Sequence, residues 1–306
     1  MHLCGRFLPN GVLLALLAAT SLGAPLRVVT LHSILTEVAR EIGGAAIEIN
    51  ALVRPGVDPH VYEPTPADIR TLQAAGIVLA SGLGLESYLP RIARDLPTGI
   101  LVKVGNKLPD NLKLARVDHA HGDHDAAHDH RHGEIDPHWW LGIEPMIAAT
   151  GIVESEFAVR RPELAATFAG NAENYRARLR ALQAWTRMEL AQLPVERRLL
   201  VTSHDAFGYF ARENNFTLYP ILGVNTAMET SGRHLAFIIS TIRKLHIKAV
   251  FAERSSNPRL IKTVVRETGV ALGPPLCADG LSVEPSFATY DAMMRTNLGG
   301  IVGALR

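Results

Sequence analysis

Histidines are concentrated in one stretch of this chain. The segment DHAHGDHDAAHDHRHGEIDPHWW, residues 118–140, holds seven of the thirteen histidines. The seventh, His138, follows Asp136-Pro137 and precedes two tryptophans. The other six lie among aspartate, alanine and glycine residues: His119, His121, His124, His128, His130 and His132. Neutral imidazole is a preferred ligand of Zn²⁺, so the segment contains either one metal site or a loose metal-attracting stretch followed by one ligand of a separate site.

Four residues are candidate ligands of such a separate site, because each follows a predicted strand or ends the loop between strands. They are His60 in RPGVDPHVYEP, His138 in DPHWW, His204 in LLVTSHDAFGYF and Asp279 in PLCADGL. Three imidazoles and one carboxylate form a tetrahedral donor set for Zn²⁺ without a thiolate. Four protein ligands leave no open coordination position, which favours metal binding over metal-assisted hydrolysis.

Each of these residues also has a purely structural interpretation. A histidine at a strand end is often a hydrogen-bonded structural residue, and the Asp-Gly pair at Asp279 is common in turns. The repeated Asp-Pro-His sequence favours the joint site over four unrelated residues. Pro59 and Pro137 restrict the backbone just ahead of His60 and His138, as a preorganised site requires.

The elements that must position these residues alternate between strand and helix. In the first half we predict strands at 26–31, 46–53, 75–80 and 100–104, and helices from an N-cap at Ser33, at 66–74 and at 84–94. In the second half we predict strands at 198–202, 216–221, 248–252 and 270–272, and helices at 206–213, 232–245, 258–268 and 286–304. This alternation predicts an α/β fold with parallel sheets and helices on both faces.

The alternation breaks in the middle of the chain. Residues 106–137 carry no periodicity, a helix is predicted at 144–159, and an unbroken apolar stripe predicts one helix from Pro162 to Leu193. At about 1.5 Å per residue such a helix is ~48 Å long and can bridge two domains. We therefore expect an N-terminal lobe at 24–160, a linking helix at 161–194 and a C-terminal lobe at 195–306. Ligands of open α/β sheets bind at the carboxyl ends of the strands, so a metal cleft between facing lobes is expected.

The N-terminus is typical of an export signal. An apolar run at 8–19 follows a short segment with one arginine, and Ser21-Leu22-Gly23 predicts cleavage before Ala24. The run is too short for a membrane-spanning helix of ~20 residues. Cys4 leaves with the signal and lies too early for lipid attachment, so Cys277 is alone and no disulfide is expected. We expect a soluble periplasmic protein without a lipid anchor.

The chain resembles one known family: the metal-specific solute-binding proteins of ABC importers, also called the ZnuA and TroA group. The resemblance covers the whole mature chain and rests on DPHVYEP, DPHWW, SHDAFGYF, FAERSSNP and CADGLS, the long central helix and the histidine-rich loop. In that family the ligands fall at the positions of His60, His138, His204 and Asp279. The resemblance also implies two similar lobes, a rigid linking helix and delivery of the metal to a membrane permease.

Within that family the third ligand position separates metals. Glutamate there is typical of manganese binders and histidine of zinc binders, and this chain has His204. Nitrogen donors then outnumber oxygen donors, which disfavours Mn²⁺. Some zinc binders of the family use water or a glutamate in place of the fourth carboxylate, so that alternative to Asp279 stays open. Manganese or iron transport is the alternative function.

The histidine-rich loop is interpreted separately from the site. Residues 118–134 lack apolar side chains to bury and have no fixed ligand spacing. We expect this loop to collect several zinc ions weakly through its six histidines and to pass them to the cleft. The alternative is an exposed polar linker with no metal role. In the ZnuA and TroA group that this chain resembles, such histidine-rich loops accompany zinc specificity.

Composition and motifs disfavour other function classes. The 31 basic and 30 acidic residues give a net charge of +1, so nucleic acid is not an expected partner. A zinc hydrolase needs a general base, for which only Glu63 and Asp205 stand near the candidate ligands in sequence, and no helical His-Glu-x-x-His is present. No repeat supports an adhesin. We therefore expect a monomeric zinc-binding protein that is not an enzyme and whose partner is an inner-membrane ABC permease.

Overall fold

The computed structural model describes residues 24–116, 135–224 and 230–306. The predicted signal peptide and the histidine-rich loop at 118–134 lie outside these ranges, so both stay predictions. Within the described ranges, no helix combines the length and apolar character needed to cross a membrane.

The N-terminal lobe contains one parallel sheet of four strands: β1 (Leu26–Thr30), β2 (Ile47–Ala51), β3 (Ile77–Ala80) and β4 (Leu101–Lys103). Their order across the sheet is β2-β1-β3-β4. The helices of this lobe are α1 (Ser33–Gly43), α2 (Pro66–Gln73) and α3 (Leu89–Ile92). Helix α1 packs into the core through Ile34, Leu35, Val38 and Ile42, none of which is exposed to solvent.

The C-terminal lobe repeats this strand order with shorter strands. It contains β5 (Leu199–Thr202), β6 (Thr217–Pro220), β7 (Ala249–Val250) and β8 (Ala271–Leu272), together with α6 (Gly208–Asn214), α7 (Gly232–Leu245), α8 (Arg259–Thr268) and α9 (Tyr290–Leu305). Strands β5 and β6 form one parallel pair and β7 and β8 another. Isolated parallel bridges at Thr202–Phe251 and Glu253–Leu276 extend the pairing. The first of them places β7 beside β5, which gives the order β6-β5-β7-β8.

Two helices connect the lobes: α4 (Ile143–Arg160) and α5 (Ala165–Leu190). Helix α5 packs against α1 and α4 on one side and against α9 on the other, so it contacts both lobes. Its 26 residues correspond to a rod of ~39 Å. The predicted stripe is confirmed, since Phe168, Tyr175, Leu179, Leu182 and Leu190 are buried.

The linking helix is shorter than the predicted span of 162–193. A 3₁₀ turn at Pro162–Leu164 separates α4 from α5, because Arg161 leaves the helical conformation ahead of the proline. At the other end the chain leaves the α-helix at Ala191, three residues before Pro194, in keeping with the effect of proline on preceding residues.

Two other helices begin later than predicted. The helix predicted at 84–94 is α-helical only over Leu89–Ile92 and continues as a 3₁₀ turn at Ala93–Asp95. Gly84 has positive φ, a conformation that no α-helix contains. The last helix begins at Tyr290 instead of residue 286. Its N-cap is Thr289, whose side chain accepts a hydrogen bond from the backbone N–H of Ala292. The prediction of Ser33 as the N-cap of the first helix is wrong by one residue, since the helix begins at Ser33 and its N-cap is His32. The fold class, two α/β lobes joined by a long helix, is confirmed, whereas the exact domain limits stay a prediction.

Candidate metal centre

The structure brings the four predicted ligands to one point between the lobes. All four ligand atoms, one from each side chain, lie within 4.8 Å of one another. The Nε2 atoms of His60 and His138 are 3.1 Å apart. The Oδ1 atom of Asp279 lies 3.1 Å from Nε2 of His204, 3.4 Å from Nε2 of His60 and 3.7 Å from Nε2 of His138. Residues separated by more than 200 positions in the chain therefore face one another.

The four separations of 3.1–3.7 Å are close to those of a coordination shell. A tetrahedral zinc with bonds of ~2.0–2.1 Å places its ligand atoms ~3.3–3.4 Å from one another. The four residues are also removed from solvent, with exposures of 7% for His60, 0% for His138 and His204, and 6% for Asp279. Nε2 of His204 and Oδ1 of Asp279 are buried, and apart from their contacts with the other candidate ligands neither has a hydrogen-bond partner among the described residues. Buried polar atoms without partners are costly, and a cation at this point would satisfy both.

The two histidines of the N-terminal lobe are held by the same local turn. In each Asp-Pro-His sequence the backbone N–H of the histidine donates to the aspartate two residues earlier: His60 to Asp58 at 2.8 Å and His138 to Asp136 at 2.9 Å. A carboxylate that accepts a hydrogen bond from the backbone two residues on forms an Asx-turn. The repeated sequence therefore forms the same turn twice, and this turn fixes the backbone position of each histidine.

His138 has a second contact that orients its ring. Its Nδ1 atom lies 2.8 Å from Oδ1 of Asp136, which is buried. With the proton on Nδ1 donated to the carboxylate, the lone pair of Nε2 points at the other candidate ligands, which is the arrangement of metal-binding histidines. Trp140, two residues on, donates from Nε1 to the carbonyl of Ala278 at 2.7 Å and so ties this loop to the segment before Asp279.

His204 is oriented by a residue far away in the sequence. Glu253, which follows β7, accepts a hydrogen bond from the backbone N–H of His204 at 3.1 Å through Oε1. Its other oxygen, Oε2, accepts from Nδ1 of the same histidine. Glu253 is 3% exposed. One buried carboxylate therefore fixes both the backbone and the ring of His204.

Asp279 is held at its backbone and at one of its carboxylate oxygens. Its carbonyl lies 3.2 Å from Nε2 of His32, and its Oδ2 accepts a hydrogen bond from the hydroxyl of Ser255. Gly280 follows with φ +128°, and a Cβ there would lie 2.4 Å from Oγ of Ser33. Only glycine permits this approach, which lets Leu281 N donate to Oγ of Ser33 at 2.8 Å. The turn at Asp279 is thereby anchored to the first turn of α1 in the opposite lobe.

The electrostatics of the site separate the two lobes. Burial opposes a charge on His204, but the carboxylates of Glu253 and Asp279 outweigh it and hold the pKa of His204 well above its usual range. Burial likewise opposes a charge on Asp279, yet His204 and His60 hold the pKa of this carboxyl well below its usual range. Burial, with the imidazoles of His60 and His204, holds the pKa of His138 well below its usual range. These directions favour the protonated form of His204 and the neutral form of His138.

Burial also shifts two groups beside the ligands toward their neutral forms. Burial lowers the pKa of His32 to about 3 and raises the pKa of Asp136 to about 7. His32 bonds the backbone of Asp279 and is not among the converging ligand atoms. Its role here is to position the turn that carries Asp279.

The candidate general bases of a hydrolase are not part of this group. Glu63 is exposed and forms an ion pair with Arg91, 2.8 Å away. Asp205 follows His204 directly but is not among the converging ligand atoms found in the described residues. Among the described residues, Cys277 has a free, buried thiol. The six histidines of the loop lie outside the described residues.

Sequence reasoning missed the residues that orient the ligands: His32, Asp136, Glu253 and Ser255. Asp136 was interpreted only as part of the stiffened Asp-Pro pair. Glu253 and Ser255 stand in FAERSSNP, directly after the predicted strand at 248–252. Their position at the carboxyl end of a strand, where ligands of α/β sheets bind, is the sequence signal that could have identified them.

Comparison with protein families matches residues 28–304 to a model described as ZnuA, zinc-uptake complex component A, periplasmic. The chain belongs to the ZnuA family. This membership makes it a solute-binding component of a metal ABC transporter, a class of transport protein and not of enzyme.

Relatives of this ZnuA-family chain differ in the metal they are named for. It is 32% identical over 295 residues to the manganese-binding lipoprotein MntA of Bacillus subtilis, covering 94% of this chain and 92% of that protein. It is 30% identical over 290 residues to the zinc-binding protein TroA of Treponema pallidum, covering 92% and 89%. The solved structure of the periplasmic zinc-binding protein TroA superposes with a TM-score of 0.83 at 28% identity, covering 92% of this chain and 99% of that one.

Proposed function

We propose that this protein captures Zn²⁺ in the periplasm and delivers it to an ABC permease in the inner membrane. The ligands are His60, His138, His204 and Asp279. The observation that carries the proposal is the convergence of three imidazole Nε2 atoms and one carboxylate oxygen in a buried cleft. The metal is the cargo of the protein, so the site must hold it tightly and release it to a partner.

The choice of zinc over manganese rests on the donor atoms. Three nitrogen donors and one oxygen donor suit zinc, whereas manganese prefers oxygen-rich, six-coordinate sites. The names of the relatives do not decide between the metals, since MntA is named for manganese and TroA for zinc. The third ligand, His204, is a nitrogen donor fixed by Glu253, and the spacing of the four atoms suits a tetrahedron. Manganese transport is the second candidate, favoured by the similarity to MntA.

Export and membrane delivery complete the proposal. The predicted signal at 1–23 directs the chain to the periplasm, and family membership assigns it to a transporter with a membrane permease. We expect the mature protein to be a monomer that does not bind nucleic acid. Its predicted loop at 118–134 supplies weak sites that concentrate zinc near the cleft.

A competition titration tests the choice of metal. The mature chain, residues 24–306, is freed of metal and titrated with Zn²⁺ against a chromophoric chelator, and separately with Mn²⁺. We expect one tight zinc ion per molecule, together with weaker ions, and far weaker manganese binding. Tighter binding of manganese than of zinc would overturn the zinc assignment and favour the second candidate.

A further inference from the structure

The two carboxylate oxygens of Asp279 have different partners. Oδ1 lies among the three imidazole nitrogens and has no partner in the described residues other than those rings. Oδ2 accepts a hydrogen bond from the hydroxyl of Ser255. A carboxylate binds a metal through one oxygen or through both. The hydroxyl of Ser255 engages the oxygen that a two-oxygen mode would need.

Ser255 is itself fixed by the turn that follows β7. The backbone N–H of Arg254 donates to the carbonyl of Leu276 at 2.9 Å, which joins this turn to the segment leading to Asp279. Glu253, at the start of the turn, holds His204, and Ser256 donates to the same glutamate at 3.3 Å. One four-residue turn therefore positions both ligands of the C-terminal lobe.

Outside Ser255 lies an open recess of 230 Å³ lined in part by Gly56, Val57 and Ser282. The charged side chains that also line this recess, Arg254 and Glu284, form an ion pair with each other, so both are engaged away from Oδ2 of Asp279. Among the hydrogen bonds of the described residues, the hydroxyl of Ser255 is the side-chain contact to Oδ2. Its removal leaves the carboxylate free to rotate.

We propose that Ser255 is a positioning residue for metal specificity, because its hydroxyl holds Oδ2 of Asp279 away from the metal and keeps this ligand single-oxygen. This role of Ser255 rests on the proposed zinc site, whose preference between metals it would set. With one oxygen from Asp279 the site is four-coordinate, the number that zinc prefers. A second oxygen raises the coordination number and the share of oxygen donors, which shifts the site toward manganese.

The test compares Ser255→Ala with two matched variants. Ser282→Ala removes a hydroxyl from the same recess without touching Asp279, and Ser255→Thr restores a hydroxyl at the position under test. Each protein is loaded with Co²⁺, whose visible absorption is strong in four-coordinate and weak in five- or six-coordinate sites. The zinc-to-manganese affinity ratio is measured for each by competition titration.

We expect Ser255→Ala to weaken the cobalt absorption and to lower the zinc-to-manganese ratio by ~10-fold, the lower end of outer-shell effects. Ser255→Thr and Ser282→Ala should match the unmodified protein. An unchanged cobalt spectrum and ratio in Ser255→Ala would overturn the role of Ser255. A weak, higher-coordinate cobalt spectrum in the unmodified protein would overturn it as well.

These outcomes are separate from the fate of the proposed function. The zinc titration of the unmodified protein judges zinc transport, whereas the difference between Ser255→Ala and its controls judges Ser255. A protein that binds zinc tightly but shows no difference between variants keeps its function and loses this inference. If manganese bound more tightly than zinc, the cobalt spectra would still decide whether Ser255 sets the coordination of Asp279.

Discussion

In the N-terminal lobe each candidate ligand is held by a residue two positions earlier in the chain, whereas in the C-terminal lobe the holding residues are tens of positions away. His60 and His138 donate their backbone N–H groups to Asp58 and Asp136. His204 depends on Glu253, 49 positions later in the chain. Asp279 depends on Ser255, 24 positions earlier.

The two kinds of support respond differently to change. A local Asx-turn forms from neighbouring residues and needs little from the rest of the fold. The support from Glu253 and Ser255 exists only when β7 lies beside β5 in the correct register, as the Thr202–Phe251 bridge shows. The geometry of the C-terminal ligands is therefore tied to the packing of the sheet that carries them.

The largest expected effect is the loss of one histidine from either lobe. His138→Ala and His204→Ala should each weaken tight zinc binding by more than the ~10–100-fold typical of outer-shell changes, because each removes a ligand atom. Zinc competition titration of the two variants measures this. Full-affinity binding by either variant would break the shared site and, with it, the comparison between the lobes.

The next effect separates the two kinds of support. Asp136 accepts both bonds from His138 through one oxygen, Oδ1, so Asp136→Asn retains the acceptor that matters. Glu253 uses a different oxygen for each bond to His204, so Glu253→Gln keeps only one. We expect a loss of zinc affinity of ~10–100-fold for Glu253→Gln and a smaller loss for Asp136→Asn.

Titration of both variants beside the unmodified protein checks this order. Folding of each variant is compared by circular dichroism, so that a loss of structure is not taken for a loss of affinity. Equal losses in the two variants would mean that the pattern of oxygens does not distinguish the lobes.

The pH dependence of zinc binding should come from the C-terminal lobe. The pKa of His204 is held above its unperturbed value of 6.5, so the folded protein keeps this proton to higher pH and zinc must displace it. The pKa of His138 is held below 6.5, so this ring binds zinc without losing a proton near neutral pH. Apparent zinc affinity should therefore rise as pH rises through 6.5 and toward the pKa of His204, with release of about one proton per zinc.

Calorimetry at pH 7.5 in two buffers of different ionisation enthalpy counts the protons released. Zinc stabilises the folded state by RT ln(1 + [L]/Kd). Because the apparent Kd rises as pH falls, the increase in melting temperature caused by zinc should be smaller at pH 5.5 than at pH 7.5. A binding enthalpy independent of buffer, or a melting shift equal at both pH values, would contradict this assignment of the proton.

The smallest effect on tight binding is expected from deletion of residues 118–134. A segment without fixed ligand spacing must lose ~1 kcal/mol or more of conformational entropy for each residue it orders around an ion, whereas the four-ligand cleft is already folded. Calorimetry of the deletion variant should show fewer zinc ions in total and a nearly unchanged tight phase. Disappearance of the tight phase would place the loop within the primary site.

Much of the fold followed from local pattern. Alternating apolar strands and amphipathic helices predicted the α/β class, because period and polarity are properties of short segments. Helix ends were less predictable. The helix predicted at 84–94 is α-helical only over Leu89–Ile92, and Gly84 adopts positive φ, which the apolar spacing does not reveal.

The same division applies to the site. The sequence by itself determined the four candidate ligands, since histidine chemistry, the repeated Asp-Pro-His turn and placement after strands are all properties of neighbouring residues. Only the tertiary structure decided that Glu253 and Ser255 orient His204 and Asp279, because those hydrogen bonds span a strand crossover and depend on distances of 3 Å between segments that no local pattern relates.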